Sequence, residues 1–179
     1  MLRTKESALV LIDVQEKLVR TMDGREELVD NLARLIQGLL VLDVPILWME
    51  QNPRGLGQTV QTLRQHLTNQ TPITKLSFSC FGDEEFEKQF LALGRRQILL
   101  AGIEAHVCVY QTARDLLARG YEVHVIADGV SSRTAENRRI ALERMQADGA
   151  HLASTEMVLF ELLQRAEGPT FKEILNIVK

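Results

Sequence analysis

A three-layer α/β/α, Rossmann-like fold on a six-stranded, mainly parallel sheet is predicted from three observations, and 3-2-1-4-5-6 is the strand order that fold class ordinarily takes. Short apolar runs alternate with helical patterns of about 10–15 residues along the whole 179-residue chain. The first run, Ala8–Ile12 (ALVLI), is apolar at every position rather than at alternate ones. A strand covered by helices on both faces requires that pattern. The composition, 45% hydrophobic and 25% charged, suits one globular domain with a full core over residues 1–179.

Taken in order, Ala8–Ile12 is the first strand. Leu28, Leu32, Leu35, Ile36, Leu39 and Leu40 then recur at helical spacing, and Pro45 closes that helix. Ile46–Met49 is the second strand, left through a glycine-bearing loop, Gln51–Gly57. A helical stretch around Thr59–Leu67 precedes a third extended segment, Pro72–Lys75. Asp83–Leu93 reads as a helix capped by Asp83 and stopped at Gly94. Ile98–Ala101 is the fourth strand, and Val107–Arg119 the helix that Gly120 ends. Val123–Ala127 is the fifth strand, followed by a helix over Arg138–Asp148 that Gly149 stops. Ala150–Ala153 makes a short sixth strand, and Ser154 caps a helix over Met157–Gln164. Thr170 and Glu173 have capping-box spacing for a last helix. No internal repeat, low-complexity tract or linker interrupts the series.

Charge and composition exclude several functions. The net charge is −3, Lys and Arg are scattered, and aromatics are 5% of the chain, so neither nucleic acid nor a membrane surface is an expected partner. Five consecutive apolar residues before Asp13 are too few for a signal peptide or a membrane span. A cytoplasmic protein with reduced thiols is the expectation. The two cysteines, Cys80 and Cys108, make no disulfide framework and no CxxC metal spacing.

In a doubly wound parallel sheet, ligands bind beyond the carboxyl ends of the strands, where strand order reverses. The polar residues at those ends are Asp13, Glu50, Lys75 and Asp128, with Cys108 just past the fourth strand, and they are expected to converge. Cys108 begins an amphipathic helix, whose positive end favours thiolate; a small buried hydrophobe is the alternative. Asp13 interrupts an apolar strand, either as a turn carboxylate or as a general base beside a thiol. Lys75 is either a solvated charge or the group that lowers the cysteine pKa and holds the carboxylate. Cys80, without activating neighbours in sequence, reads as a buried hydrophobe. His106, two residues before Cys108, points elsewhere and lines or borders the pocket. His66, His106, His124 and His151 show no metal spacing, and His124 reads as structural.

Asp, Lys and Cys in this order at the ends of strands one, three and four carry a resemblance. The segments LVLIDVQEKL, TKLSFSCF and GIEAHVCVYQTARDLLARGYEVHVIADGVSSR resemble the isochorismatase-like cysteine hydrolases over roughly Ala8–Leu163. GIEAHVCV and WMEQNPRGLG look closest to the isochorismatase-domain-containing subgroup. The resemblance implies that Asp13 accepts the thiol proton, that Cys108 is the nucleophile and that Lys75 completes a triad. It also implies a non-proline cis peptide joining Glu104 and Ala105, with the backbone N–H groups of Ala105 and Cys108 as an oxyanion hole. Gln15, Trp48, Gln51, Phe78, Phe81 and His106 would flank the pocket. Nicotinamidases of the family bind a metal through an Asp and histidines after the second strand. Here MEQNPRGLGQTV has no histidine, so neither a metal nor another cofactor is expected, and nicotinamide is disfavoured.

The reading that follows is a metal-independent hydrolase cleaving a C–N bond of a small amide-type substrate through a thioester. Two others stand beside it: an idle family member that binds a metabolite or protein partner, and a thiol redox sensor with Cys80 as resolving partner. Met157, Val158, Leu159, Phe160, Leu162, Leu163, Phe171, Ile174, Ile177 and Val178 crowd the last two helices with apolar side chains. They either pack on the sheet or form an interface, and the family resemblance implies a homo-oligomer.

Overall fold

In the computed structural model, which describes residues 1–179, six strands form one sheet in the order β3-β2-β1-β4-β5-β6. They are β1 (Ser7–Ile12), β2 (Ile46–Gln51), β3 (Ile73–Lys75), β4 (Gln97–Ile103), β5 (Glu122–Ser131) and β6 (His151–Ala153), and every adjacent pair is parallel. Strand order reverses between β1 and β4, which opens a crevice at their carboxyl ends.

The main helices are α1 (Arg25–Val41), α2 (Glu84–Leu93), α3 (Tyr110–Ala118), α4 (Ala135–Ala147), α5 (Thr155–Leu163) and α6 (Gly168–Val178). Every residue of β1 is buried, and the strand period of two divides its side chains between two cores. Leu9 and Leu11 join Leu32, Leu35, Ile36 and Leu39 of α1, with Leu159 of α5 and Ile174 of α6. Ala8, Val10 and Ile12 join Phe86 and Phe90 of α2, Leu116 of α3 and Met145 of α4.

Asp83 and Ser154 cap their helices as expected, accepting from the N–H groups of Phe86 (3.0 Å) and Met157 (3.2 Å). The Thr170/Glu173 capping box is not formed. Pro169, pre-set to the helical φ, starts α6 from Gly168, so Thr170 lies inside the first turn. Helix α4 begins three residues earlier than its pattern predicts, because Thr134 accepts from Asn137 N–H and supplies the cap. The apolar C-terminal side chains mostly pack inward: Val158, Leu159, Leu162 and Ile174 are buried, while Phe160, Leu163, Ile177 and Val178 lie against the same core. Met157 stays 60% exposed.

Strand β5 is longer than its apolar run. Its pairing with β4 slips between Leu100↔Val125 and Gly102↔Val130, so Ile126–Gly129 bulge out of the ladder. Asp128 falls in that bulge, and its Oδ1 accepts from the backbone N–H (2.8 Å) and hydroxyl (3.1 Å) of Thr155. The expectation that Asp128 joins the strand-end site is therefore corrected: it is engaged at the start of α5.

Gly102 holds the two central strands together at the crevice. Its φ is +119°, and a Cβ there would stand 2.1 Å from the carbonyl oxygen of Ile12, the residue before Asp13. Gly102→Ala is expected to cost roughly 3 kcal/mol, since it adds both a disfavoured φ and a backbone clash. Urea unfolding should show the midpoint falling with the slope unchanged.

Candidate active site

The crevice brings together Asp13, Lys75, Cys108 and Gln51. Asp13 follows β1 directly and takes a left-handed φ of +53°, a conformation aspartate tolerates better than most residues. Its carboxylate is fully buried. Lys75 ends β3 and is equally buried, with its ammonium 2.6 Å from Asp13 Oδ2. The same Nζ donates to the carbonyls of Ser77 and Phe78, each at 3.1 Å, so all three of its protons are placed. Asp13 Oδ1, by contrast, is buried without a hydrogen-bond partner. An acceptor left in that state costs about 1–3 kcal/mol, so its retention asks for a reason.

Cys108 lies in a wide π-type turn, Ala105–Val109, that leads into α3. Its thiol donates to Gln51 Oε1 at 3.3 Å, and the Asp13 carboxylate lies close enough for its charge to act on the sulfur. The Glu104 carbonyl, just ahead of the turn, accepts from the N–H groups of Val107 and Val109. The cis peptide joins Ile103 and Glu104, not Glu104 and Ala105. β4 ends at Ile103, and the cis bond follows that last strand residue directly, one peptide before the expected position.

Electrostatics correct one expectation. Burial pushes the Cys108 thiol up to about 12, and the neighbouring Asp13 charge adds to that; Lys75 pulls the other way and loses. The resting group is therefore a thiol, not a thiolate raised by a helix end and a lysine. Burial likewise raises Asp13 above the usual carboxylate range, against the lowering pull of Lys75. Cys80 is wholly buried and also pushed up to about 12 by burial, with Lys75 lowering it too. Lys75 thus acts on both thiols. What separates them is that Asp13 acts more strongly on Cys108, which also keeps 5% of its surface exposed where Cys80 keeps none.

The expected pocket residues divide. Gln51 contacts the thiol. Phe78 is 53% exposed beside the site, where its carbonyl holds Lys75. His106 is half-buried, with Nδ1 2.9 Å from the hydroxyl of Ser132. Gln15 is fully buried and spent on the backbone: it donates to the carbonyls of Gln51 and Gly57 and accepts from Gln51 N–H. Trp48 does not line the site. Three residues before Gln51 on β2, an odd spacing in a strand of period two, it packs in the opposite core, and its indole donates to Thr59 at 2.7 Å. Phe81 is likewise withdrawn, edge-on to Phe86 and Phe90 and 4.1 Å beneath the Arg119 guanidinium. Glu50 is buried and accepts from the N–H and hydroxyl of Thr59.

One residue close to the thiols was missed. Thr112 donates to the Cys108 carbonyl at 2.7 Å and accepts from Cys80 N–H at 3.1 Å, tying both cysteine segments to α3. Its i+4 spacing from Cys108 was the available signal. For a metal, the only His/Cys/Asp/Glu trio with suitably close donor atoms is Glu122, His124 and His151, at the amino ends of β5 and β6. Two broad surface depressions, of about 750 and 850 Å³, are lined by neither Asp13 nor Cys108; the larger borders Lys75 from the loop side. No helix is long and apolar enough to cross a membrane.

Residues 7–157 match the isochorismatase domain family. The chain is 43% identical to the zebrafish (Danio rerio) isochorismatase domain-containing protein 2 over 178 residues, covering 99% of this chain and 89% of that one. Among solved structures, the MAR1 ribonuclease of Caenorhabditis elegans superposes with a TM-score of 0.92 at 38% identity, over 99% of this chain and 91% of that one. The YcaC gene product of Escherichia coli, an octameric hydrolase of unknown specificity, has a TM-score of 0.93 at 22% identity, over 98% and 88%.

Proposed function

The chain belongs to the isochorismatase domain family, and from that premise we propose that it is a metal-independent cysteine hydrolase cleaving a C–N bond of a small amide-type substrate. Family membership supports a hydrolase. One observation carries the finer reading: the buried, unpartnered Oδ1 of Asp13 beside the Cys108 thiol, with Lys75 on the other oxygen.

In the proposed reaction the Cys108 sulfur attacks the substrate carbonyl carbon while its proton passes to Asp13. The N–H groups of Ala105 and Cys108 hold the oxyanion. Collapse breaks the C–N bond, and Asp13 returns its proton to the leaving nitrogen. Water then attacks the thioester, Asp13 takes a water proton, and the C–S bond breaks to restore the thiol and release the acid. Lys75 pairs with Asp13 and offsets part of the cost of burying its carboxylate. A thiol held near 12 at rest avoids two adjacent anions and ionises only as it attacks.

The test is a screen of small amides, ureides and hydroxamates, with short RNAs included because the worm relative is named a ribonuclease. Turnover of an amide by the wild type and not by Cys108→Ala is the expected result. Turnover of RNA alone would replace this reading. Chelators should leave turnover unchanged, since the second-strand loop offers Glu50, Gln51 and Asn52 but no imidazole.

Alkylation checks the thiol state. Iodoacetamide should label Cys108 and spare Cys80, with a rate that rises about tenfold per pH unit through the neutral and mildly alkaline range. A rate plateau below about pH 9 would mean a preformed thiolate. Selective labelling fits a redox sensor built on Cys108 as well, so turnover of an amide is what separates the two readings.

We also propose a homo-oligomer. Leu76 is 82% and Phe78 53% exposed on the loop that carries Lys75, a place where a second copy would shield apolar surface and border the site. Light scattering should give a mass well above the 20.3 kDa monomer.

A further inference from the structure

We propose that Glu122, His124 and His151 form a divalent-cation site, best suited to zinc, at the edge of the sheet opposite the crevice. Glu122 and His124 are two residues apart on β5 and so project from one face. The register then sets His151, the first residue of β6, directly beside His124. Sequence spacing hides this trio, because its members come from two strands separated by a helix.

The donor atoms of the three side chains all lie within 4.8 Å of one another. The two imidazoles face each other with centroids 4.9 Å apart, and His124 Nε2 is 2.8 Å from Glu122 Oε1. Tetrahedral zinc with bonds near 2.0–2.1 Å needs donor atoms about 3.4 Å apart. Opening the Glu122–His124 pair slightly and swinging the exposed His151 inward would meet that spacing. A zinc ion bound there would displace the proton the pair shares and leave a fourth position for water or an outside ligand.

The carboxylate is held for this task. Gln97 Nε2 donates to Glu122 Oε2 at 3.0 Å. Gln97 is itself buried and fixed, accepting from Arg3 N–H and the Ser7 hydroxyl and donating to the Met1 carbonyl. Such outer partners orient ligands in metal sites. Two imidazoles and one carboxylate suit zinc, with copper and nickel as competitors. The ion would clip β6, an edge strand of three residues, to β5.

The experiment uses untagged full-length protein stripped with EDTA, then dialysed against micromolar zinc chloride or titrated with cobalt(II). One zinc per chain is expected, with the visible bands of tetrahedral cobalt and a raised melting temperature. Cys108→Ala should bind equally, which separates this site from the catalytic thiol. His151→Ala removes an exposed side chain and should weaken binding about 100-fold or more while the chain stays folded by circular dichroism. Glu122→Gln should weaken it less. No stoichiometric binding, undiminished binding by His151→Ala, or loss with Cys108→Ala would each overturn the site.

Discussion

Cys108→Ala is expected to abolish turnover of whichever amide the wild type hydrolyses, a fall of about 10⁴-fold or more in kcat. No other group in the crevice can form the acyl intermediate, since Cys80 is wholly buried and Lys75 has all three protons engaged. Stability should fall by no more than about 1–2 kcal/mol, the ordinary cost of removing one buried sulfur from a core position. Cys108→Ser should remain nearly as inactive: Asp13 would have to deprotonate a hydroxyl of much higher pKa. Turnover and urea unfolding, measured together, separate a chemical loss from a folding loss.

Lys75→Met is expected to lose both activity and stability. It leaves the Asp13 carboxylate buried without its cation and strands the carbonyls of Ser77 and Phe78. Removing one partner of a buried pair costs about 3–5 kcal/mol. Asp13 already titrates above its ordinary range, so its folded pKa exceeds its unfolded one. Stability from that difference is present below the unfolded pKa and is lost as pH rises through the folded one; ionised Asp13 is thus a net burden that Lys75 offsets. Without the lysine the folded pKa climbs further, and the acid limb of the kcat/KM profile should move to higher pH. Asp13→Asn combined with Lys75→Met should recover part of the stability and none of the activity.

The strand-end residues were legible because parallel sheets place them by rule. β1 is apolar until Asp13, and Pro72–Lys75 ends on its lysine, so chain order and sheet order together fix where those two groups meet. What surrounds them was less legible. The family resemblance implies Trp48 at the pocket, but its odd spacing of three from Gln51 on a strand of period two sends it to the other core. Asp128 was misplaced because the β5 bulge carries no signal beyond Gly129, and Thr155, its partner, sits in the following helix. The high thiol pKa was hidden for another reason: burial is a tertiary property, and it outweighs the charges that sequence shows nearby. The Glu122–His124–His151 cluster depends on register between β5 and β6, which no linear spacing encodes.

Acid-quenched turnover followed by intact and peptide mass spectrometry tests the central claim most directly. During hydrolysis of an amide substrate the wild type should carry one added acyl mass on the Cys108 peptide, removed by hydroxylamine and absent from Cys108→Ala. Turnover by the wild type with no adduct, matched by undiminished turnover in Cys108→Ala, would contradict a thioester at Cys108.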